Sequence, residues 1–488
     1  MEATASAPAP ERYGLFLLTV FDRMFERTTF VTGWLVEGAV DAALLAAALD
    51  RVTEKWRLLA GRLVSVKEQN DVKWYVKTPL GPLPKDYASY ALTTSTSDVP
   101  LSKYVPIPLP SVSSSPPPSV FIHSSTPRQY TAWEEADHPL TCWNLTYFPA
   151  SANNGRDYTC IGFARCHGIF DGGGAAQIVD AVVAELNGGE WKVPPLPLEG
   201  MNLNPVEDIL ARAALAEKKD FEDVVAYTPM GPAGFLKLVG YHVKERWWKG
   251  ADRRIIVMSK GVLDFLVEDV RSTLRREKKQ AENVTTGDIL VAWIFKTVYS
   301  NGTSPKTIVH CTNMASFRAM LEPQFEGALD FPHNAFVPLP YPLLSVGELQ
   351  AFPLPALANL FMASRLSLSM HHVVSAYKML QTPCFPNRPD ADETLNISNV
   401  SASRILEADW KTLGAKRTIC GYRYQATPTD VLFTNAVYIA GRLDDGSVVL
   451  DVSLTKARFE LLSGEVQRLT ARLGRNNMYA AKAAGKKK

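Results

Sequence analysis

The sequence RCHGIFDGGG at residues 165–174 lies between an apolar run, residues 159–164, and a segment of helical periodicity, residues 175–186. Apolar residues recur in that segment at spacings of three and four, which predicts an amphipathic helix. We therefore place His167 and Asp171 where a buried strand turns into a helix. A rigidly held histidine can accept a proton near neutral pH, as general-base catalysis requires. A His followed four residues later by an Asp also arises by chance, so the motif alone does not decide the function.

Composition limits the class of protein. The chain has 488 residues, of which 46% are apolar and 21% charged, with a net charge of +2. This predicts a soluble globular protein of two or three domains, and the near-neutral charge indicates neither a nucleic-acid partner nor an acidic-membrane partner. The six cysteines form no C-x-x-C pair and are expected to be reduced and buried. The sequence shows no spacing typical of a metal site.

The start of the chain gives no targeting signal. Residues 1–11 lack the basic start of a signal peptide, and the apolar run at residues 14–21 is too short to span a membrane. We therefore expect a cytoplasmic protein without a membrane span.

Strands and helices alternate along the sequence. Asp41 and Thr286 are the expected N-caps of two helices, and the Ser, Thr and Pro-rich residues 93–119 predict a long loop. Strands are predicted over residues 15–21, 28–36, 72–77, 140–148, 158–164, 255–259, 307–312, 395–401, 431–440 and 448–454. Helices are predicted over residues 42–56, 175–186, 206–223, 260–279, 285–299, 357–380 and 456–473.

A proline-rich break after the helix that follows His167 predicts the domain organisation. We expect an N-terminal domain over residues 1–200, a connector over residues 201–250 and a C-terminal domain over residues 251–488. Both halves mix strands and helices in a similar rhythm, which favours two α/β domains of related design.

Five segments, in this order along the chain, resemble the BAHD acyltransferases and their fungal relatives, the trichothecene-acetyltransferase-like enzymes. The resemblance covers nearly the whole chain, and its centre is the H-x-x-x-D-G motif. The matching segments are LTVFDRM at 18–24, RLLAGRL at 57–63, HGIFDG at 167–172, TTGDILVAWIF at 285–295 and NISNVSASRILEADW at 396–410.

Two segments depart from the family pattern. The family's D-F-G-W-G motif is degenerate, because Asp409 and Trp410 are followed by Lys-Thr-Leu. The family's D-x-R-x-R segment, whose Arg pairs with the motif Asp, corresponds to TNMASFR at 312–318. Asn313 stands there for the acid and Arg318 is displaced, which makes Arg318 a candidate partner of Asp171.

The resemblance implies a pair of chloramphenicol-acetyltransferase-like α/β domains with mixed sheets, related by a pseudo-two-fold axis. It also implies a channel between the domains that acyl-CoA and the acceptor enter from opposite faces, with the histidine at its middle. No bound cofactor is expected, since acyl-CoA is a co-substrate. We expect a monomer whose partners are acyl-CoA and a small hydroxylated acceptor.

The chemistry follows from the weak nucleophilicity of an alcohol. His167, with an unperturbed pKa of ~6.5, suits the role of the base that accepts the alcohol proton during attack on the thioester. The resemblance implies that Asp171 turns away from substrate into an ion pair that holds the loop, and that Gly172 lets the backbone pass close to the donor. Ser398 and Asn399 are candidate oxyanion donors, although alternation along a strand explains their polarity equally well.

Three functions remain open at this stage. The first is an acyl-CoA-dependent O-acyltransferase, acting on a hydroxyl of a terpenoid, polyketide or glycolipid in a fungus-like biosynthetic setting. The second is a condensation-type catalyst that uses a carrier protein, or an N-acyltransferase. The third is a catalytically silent binding relative, which the intact His167, Asp171 and Gly172 argue against.

Overall fold

The computed structural model describes residues 12–68, 71–216, 227–229, 231–385, 388 and 390–485. These residues form mixed β-sheets covered by α-helices. The strands are β1 Tyr13–Leu17, β2 Thr29–Glu37, β3 Arg62–Glu68, β4 Asp71–Pro79, β5 Ala91–Thr96, β6 Val112–Ser114, β7 Thr141–Phe148, β8 Tyr158–Cys166, β9 Gly200–Asn202, β10 Thr228–Pro229, β11 Asp252–Met258, β12 Ile308–Ser316, β13 Phe336–Pro338, β14 Leu344–Ser345, β15 Cys384–Phe385, β16 Glu393–Asn399, β17 Arg417–Ala426, β18 Ala436–Arg442 and β19 Val448–Leu454.

The helices pack against the faces of these sheets. A π-helical turn, Lys244–Trp248, continues the sixth helix. The α-helices are α1 Val20–Arg23, α2 Ala42–Lys55, α3 Tyr130–Glu135, α4 Gly172–Asn187, α5 Pro205–Ala216, α6 Pro232–Val243, α7 Lys260–Arg276, α8 Thr286–Val298, α9 Arg318–Leu321, α10 Val346–Ala351, α11 Leu354–Leu366, α12 Met370–Met379 and α13 Lys456–Gly485.

Two large sheets carry the architecture. The first has five strands in the order β17-β2-β8-β7-β5, and the second has eight, in the order β13-β12-β16-β18-β19-β11-β6 with β14 beside β12. Both are mixed, since β5 and β7 are parallel in the first and β12, β16 and β18 are parallel in the second. This arrangement confirms the predicted α/β class with mixed sheets.

The strand that leads to His167 is at the centre of the five-stranded sheet. All nine residues of β8 are buried, because β2 and β7 pair with it on either side and α4 lies in the same hydrophobic core. Because β8 has a paired strand on each side, the point at which the chain leaves the sheet before His167 is fixed.

Two strands, the three-residue β6 and the ten-residue β17, join the sheet that is formed mainly by the other half of the chain. Strand β6 joins the eight-stranded sheet beside β11, and β17 joins the five-stranded sheet beside β2. The sheets therefore do not follow the order of the chain strictly. The domain boundaries predicted at residues 200 and 251 stay a prediction.

Several predicted elements are confirmed with small changes of bounds, among them β2, β8, β19, α4 and α7. Asp41 caps α2, accepting hydrogen bonds from the backbone N–H groups of Ala43 and Leu44, as predicted. The expected N-cap Thr286 is wrong by one residue. Thr285 is the cap, and with Asp288 it forms a capping box in which each side chain accepts from the other's backbone.

Three other predictions are corrected. The strand expected over 15–21 ends at Leu17, because Thr19 and Asp22 form a capping box that starts α1. The helix expected over 357–380 is two helices, α11 and α12, divided by residues 367–369. The loop expected over 93–119 contains part of β5 and all of β6. Part of the helix expected over 206–223 lies outside the described residues, and β17 was not predicted at all.

Candidate active site

His167 lies in the short connection between β8 and α4, and its backbone is held on both sides. Its N–H donates to the carbonyl of Thr28 at 3.0 Å, and its own carbonyl accepts from Asn334 Nδ2 at 2.9 Å. Only 9% of the residue is exposed. The imidazole therefore starts from a fixed point, which is what a positioned base needs.

Aromatic side chains surround the imidazole. Its ring stacks on Phe25 with centroids 4.0 Å apart and meets the edge of Phe30 at 5.1 Å, and Phe336 lies 6.4 Å away. Nδ1 is buried and has no hydrogen-bond partner within the part of the chain that the structure describes. The ring is thus fixed by packing rather than by a carboxylate.

The electrostatic environment keeps this imidazole neutral. Burial lowers the pKa of His167 to about 3, and the nearby positive charges of Arg165 and Arg423 act in the same direction. The pKa of His167 in the folded chain therefore lies well below the unperturbed value of ~6.5. The ring is present as the free base at neutral pH, although its low pKa makes it a weaker base than free imidazole. Negative charge that develops beside it during a reaction raises its proton affinity.

Asp171 is directed away from the imidazole and organises the start of α4. Its Oδ1 accepts from the N–H groups of Gly173 and Gly174, both at 2.9 Å, which makes it the N-cap of the helix. Arg318 Nη2 lies 2.9 Å from each of its oxygens. Both side chains are buried, so the structure brings the two predicted partners into one charge-assisted pair.

Arg318 in turn fixes the loop opposite His167. Its Nε donates to the carbonyl of Phe331 at 2.8 Å and its Nη2 to that of His333 at 2.7 Å. Its Nη1 donates to Ser316 Oγ at 3.2 Å. The ion pair thus joins the N-terminus of α4 to residues 331–335.

The glycines after Asp171 permit this close approach. A Cβ on Gly174 would lie 1.9 Å from the carbonyl oxygen of Pro332, so any side chain at this position would clash with that backbone. A Cβ on Gly172 would lie 3.1 Å from Val400 Cγ1, and Gly172 itself lines the cavity described below. Replacement of Gly174 would separate α4 from the loop that Arg318 holds.

Asp22 and Asn334 form a second support, which sequence reasoning did not assign to the site. Asn334 Nδ2 donates both to Asp22 Oδ1 and to the carbonyl of His167, each at 2.9 Å. Asp22 also accepts from Thr19 through Oδ2 and is fully buried. The sequence feature that points to Asp22 is the segment LTVFDRM, which resembles the family pattern but does not by itself indicate a role for its Asp.

Arg165 and Arg423 are the other residues that the sequence did not reveal. They lie on β8 and β17, the strands on either side of β2, and both are buried. Their guanidinium carbons lie 5.4 and 4.7 Å from the ring centroid of Phe30, the residue that contacts His167. Each guanidinium has two nitrogens without a hydrogen-bond partner among the described residues. They are Nε and Nη2 in Arg165, and Nε and Nη1 in Arg423.

The two candidate oxyanion donors face different surroundings. Ser398 lines the cavity together with His167. Asn399, the next residue on β16, is not part of the lining, and its Oδ1 accepts from the N–H and the hydroxyl of Ser401 at 3.1 and 2.7 Å. Ser398 therefore stays a candidate for the oxyanion, and Asn399 is placed to fix the end of the strand.

Asp409 and Trp410, the remnant of the D-F-G-W-G motif, lie away from the cavity lining. Trp410 is buried and meets Trp34 of β2 in a T-shaped contact with centroids 5.2 Å apart. Asp409 Oδ1 accepts from the N–H of Lys411 at 3.0 Å and so shapes the turn. Both contacts are structural.

The cavity lies between the two large sheets and has a volume of about 1080 Å³. That volume is at the upper end of small-molecule sites in proteins. The five-stranded sheet and the loops at its edge contribute Phe30, His167 and Gly172 to it. The eight-stranded sheet contributes Thr312, Asn396, Ser398, Ala436 and Tyr438.

The described residues contain neither a candidate metal site nor a disulfide. No group of three or more His, Cys, Asp or Glu side chains there is close enough to hold a metal ion. All six cysteines are buried and unpaired in disulfides. No helix in that part of the chain has the length and apolar character needed to cross a bilayer.

Comparison with known proteins gives the fold but not the family. No protein-family profile and no curated protein sequence matches the chain. Solved structures do match over most of its length. TRI101 of F. sporotrichioides, complexed with coenzyme A and T-2, is 14% identical, with 91% of this chain and 96% of that chain covered and a TM-score of 0.59.

Two other structures extend the likeness. Vinorine synthase is 14% identical, with 96% of this chain and 95% of that chain covered and a TM-score of 0.51. The first condensation domain of the calcium-dependent antibiotic synthetase is 10% identical, with 95% and 96% covered and a TM-score of 0.50. These likenesses confirm the predicted two-domain α/β fold with mixed sheets. At such identities they show the fold alone.

Proposed function

We propose that the chain is an acyl-CoA-dependent O-acyltransferase in which His167 is the general base. The observation that carries this proposal is the position of the ring. A neutral, rigidly packed imidazole lines a cavity of about 1080 Å³ between two sheets, in the fold of proteins solved with coenzyme A.

The proposed step needs no enzyme-bound acyl group. The acceptor oxygen attacks the thioester carbonyl carbon while its proton passes to a nitrogen of His167. The tetrahedral oxyanion then collapses, the C–S bond breaks, and the imidazolium returns the proton to the thiolate, which leaves as CoA-SH. Binding both reactants in one cavity lowers the barrier by removing much of the entropy of encounter.

Each remaining site residue has a role in this proposal. Ser398 donates a hydrogen bond to the oxyanion. Asp171 and Arg318 hold the N-terminus of α4 against the opposite loop, and Gly172 leaves room for the donor. Asp22 and Asn334 keep the backbone of His167 in place.

The acceptor class is a small hydroxylated secondary metabolite, and the donor is acetyl-CoA. TRI101 of F. graminearum has been solved with coenzyme A together with either T-2 mycotoxin or deoxynivalenol, so the same fold accommodates coenzyme A and one of these small molecules at once. The size of the cavity and its aromatic lining around His167 support an acceptor of that kind. We propose a cytoplasmic, monomeric enzyme in a fungus-like biosynthetic setting.

The test is transfer with a defined donor and a panel of acceptors. The purified chain is incubated with acetyl-CoA and polycyclic alcohols, free thiol is followed, and the product mass is measured. We expect thiol release that depends on the acceptor, with an ester heavier by one acetyl group. Release without an acceptor and without an ester would contradict the proposal.

A carrier-protein-dependent condensation is the second candidate, because a condensation domain shares the fold at a TM-score of 0.50. The same assay with an acyl group loaded on a carrier protein, and with amines among the acceptors, separates the two. Transfer from the carrier but not from CoA would favour the second candidate. Ligand binding without turnover from either donor would favour a silent binding relative.

A further inference from the structure

One helix of the molecule presents an apolar face that nothing in the described structure covers. In α6 and the π-helical turn after it, Leu236, Val239, Val243 and Trp247 recur at spacings of three, four and four. All four are exposed, Trp247 by 83%, and the neighbouring Trp248 is 89% exposed. We name this surface, made of these five side chains, the outer face.

The opposite side of the same helix is anchored to the protein. His242 Nδ1 lies 2.9 Å from Thr434 Oγ1, and its ring meets Phe433 edge-on. Glu245 is fully buried and lies 3.7 Å from Arg458, which is also buried. The outer face is therefore exposed because the helix is held by its other side.

Basic side chains flank the two exposed tryptophans. Lys244, Arg246 and Lys249 are exposed on the same turn. Arg246 forms an ion pair with the exposed Asp252, and Lys249 Nζ lies 2.7 Å from a carboxylate oxygen of the buried Glu245. The turn presents three exposed cations against two carboxylates, Asp252 and the buried Glu245, and Glu245 also lies beside Arg458. Its net charge is therefore positive, although the whole chain is near neutral.

This combination matches one occupant best. Helices that lie in a membrane interface carry Trp and Leu on one face and Lys or Arg beside it, with the indoles at the level of the headgroups. Negative lipid headgroups attract each nearby Lys or Arg. At an interface with a protein partner, we would expect the apolar residues at the centre and the charged residues around them as a polar rim. Here the cations instead lie among the tryptophans at the end of the helix.

The position of the helix adds a reason for such contact. Tyr241 and His242, on its inner side, line the cavity that contains His167. The outer face and the cavity are thus two sides of one helix. A lipid surface touching the outer face would lie within one helix diameter of the cavity, about 10 Å.

We propose that α6 and its π-helical turn dock the protein on the surface of a membrane that contains anionic lipids. The outer face enters the interface between headgroups and acyl chains, and Lys244, Arg246 and Lys249 contact the phosphates. The chain lies on the bilayer and does not cross it. Apolar small molecules dissolved in the membrane then reach the cavity along the helix.

The test is binding of the full chain to vesicles, which requires no turnover and so is independent of the proposed function. Flotation is measured with phosphatidylcholine vesicles with and without phosphatidylserine. We expect binding to the anionic vesicles that weakens with salt, and a blue shift of tryptophan emission, because most of the other tryptophans are already buried.

Variants locate the contact. Trp247→Ser combined with Trp248→Ser should weaken binding by about tenfold or more, since both indoles leave the interface. Lys244→Gln should weaken it by roughly fivefold. The matched control is Leu44→Ser with Leu366→Ser, which removes apolar side chains exposed by 46% and 57% on α2 and α11 and should leave binding unchanged.

Three results would overturn the proposal. The first is equal binding by the double-tryptophan variant and the parent chain. The second is a parent chain that does not bind vesicles and is a dimer in solution, while the double-tryptophan variant is a monomer. That result would assign the outer face to contact with a second copy of the chain. The third is a monomer whose indoles are shielded from acrylamide without vesicles, which would show that a segment of the chain itself covers them.

Discussion

Arg318 and Arg423 are both buried near the same cavity, yet their guanidinium groups meet opposite conditions. Every nitrogen of the Arg318 guanidinium donates to an acceptor, and its charge is balanced by Asp171. Arg423 leaves Nε and Nη1 without partners among the described residues, as Arg165 leaves Nε and Nη2. One arginine therefore holds the site in shape, while the other two act on it through their charge.

The pKa values express this difference. Burial lowers the pKa of Arg165 to about 9 and that of Arg423 to about 10, so both stay largely cationic at neutral pH. Their charges lower the pKa of His167 further below the value that burial alone would give. Positive potential beside the base also favours the negative charge of a tetrahedral intermediate and of a thiolate leaving group.

The largest expected effect comes from breaking the paired arginine. Arg318→Leu leaves Asp171 buried without its cation, which should lower the free energy of unfolding by about 3–5 kcal/mol. Denaturant unfolding measures it. The matched control, Arg423→Leu, removes a buried arginine that forms no ion pair with a carboxylate among the described residues, and it should cost clearly less. Equal losses in the two variants would show that the contrast between them is false.

The next effect is on turnover and uses two neighbours on β16. Ser398→Ala should lower kcat by about 10²–10³ if its hydroxyl stabilises the oxyanion. Asn399→Ala should have a smaller effect, because that side chain caps Ser401 outside the cavity. Steady-state kinetics with acetyl-CoA and the best acceptor measures both. A larger loss for Asn399→Ala would reverse the assignment.

A third prediction concerns acid pH. Burial lowers the pKa values of His167, His310 and His333 to about 3. In the unfolded chain they return to ~6.5, so below that pH the unfolded state binds protons that the folded state does not. Each histidine should then lower the free energy of unfolding by about 1.4 kcal/mol per pH unit.

Asp22 acts against this trend, because burial raises its pKa to about 7. Its contribution to the free energy of unfolding therefore decreases as the pH rises above the pKa that this carboxyl has in the unfolded chain. The three histidines outweigh Asp22, so the net contribution of these four residues to stability should still fall between about pH 6.5 and pH 5. Unfolding curves across that range test it. Stability that stays constant or rises toward pH 5 would contradict the buried, neutral histidines.

The smallest effect is on the imidazole itself. Arg423→Met removes one of the two cations near His167 and should raise the pKa of His167, without restoring ~6.5 because burial is the larger cause. Arg423→Lys keeps the charge and is the control. NMR of the imidazole, followed down to the lowest pH at which both variants stay folded, shows at which pH its protonation begins. An unchanged pKa in Arg423→Met would mean that this arginine does not act on the base.

Sequence patterns predicted those parts of the site that are local in the chain. The apolar β8, the loop with His167 and Asp171, and the periodic α4 follow one another, so their arrangement could be inferred from spacing. The pairing of Arg318 with Asp171 had to be brought in through resemblance, because 147 positions separate them.

What the sequence could not give depends on contacts between distant segments. Strand β17 was missed because its polar RYQ pattern resembles a surface loop, and it becomes a buried strand only when Tyr422 pairs opposite Gly33 of β2. The burial of Arg423, on the same strand, follows from that pairing. The same holds for Asp22, whose role appears only when Asn334 lies beside it.

The most direct test of the account is the turnover of His167→Ala. With acetyl-CoA and a competent acceptor at saturation, kcat should fall by about 10²–10⁴, the range for loss of a positioned base. The dissociation constant of CoA and the circular dichroism spectrum should stay as in the parent chain. A folded His167→Ala protein that transfers acetyl groups at the parent rate would contradict the claim that this imidazole takes the acceptor proton.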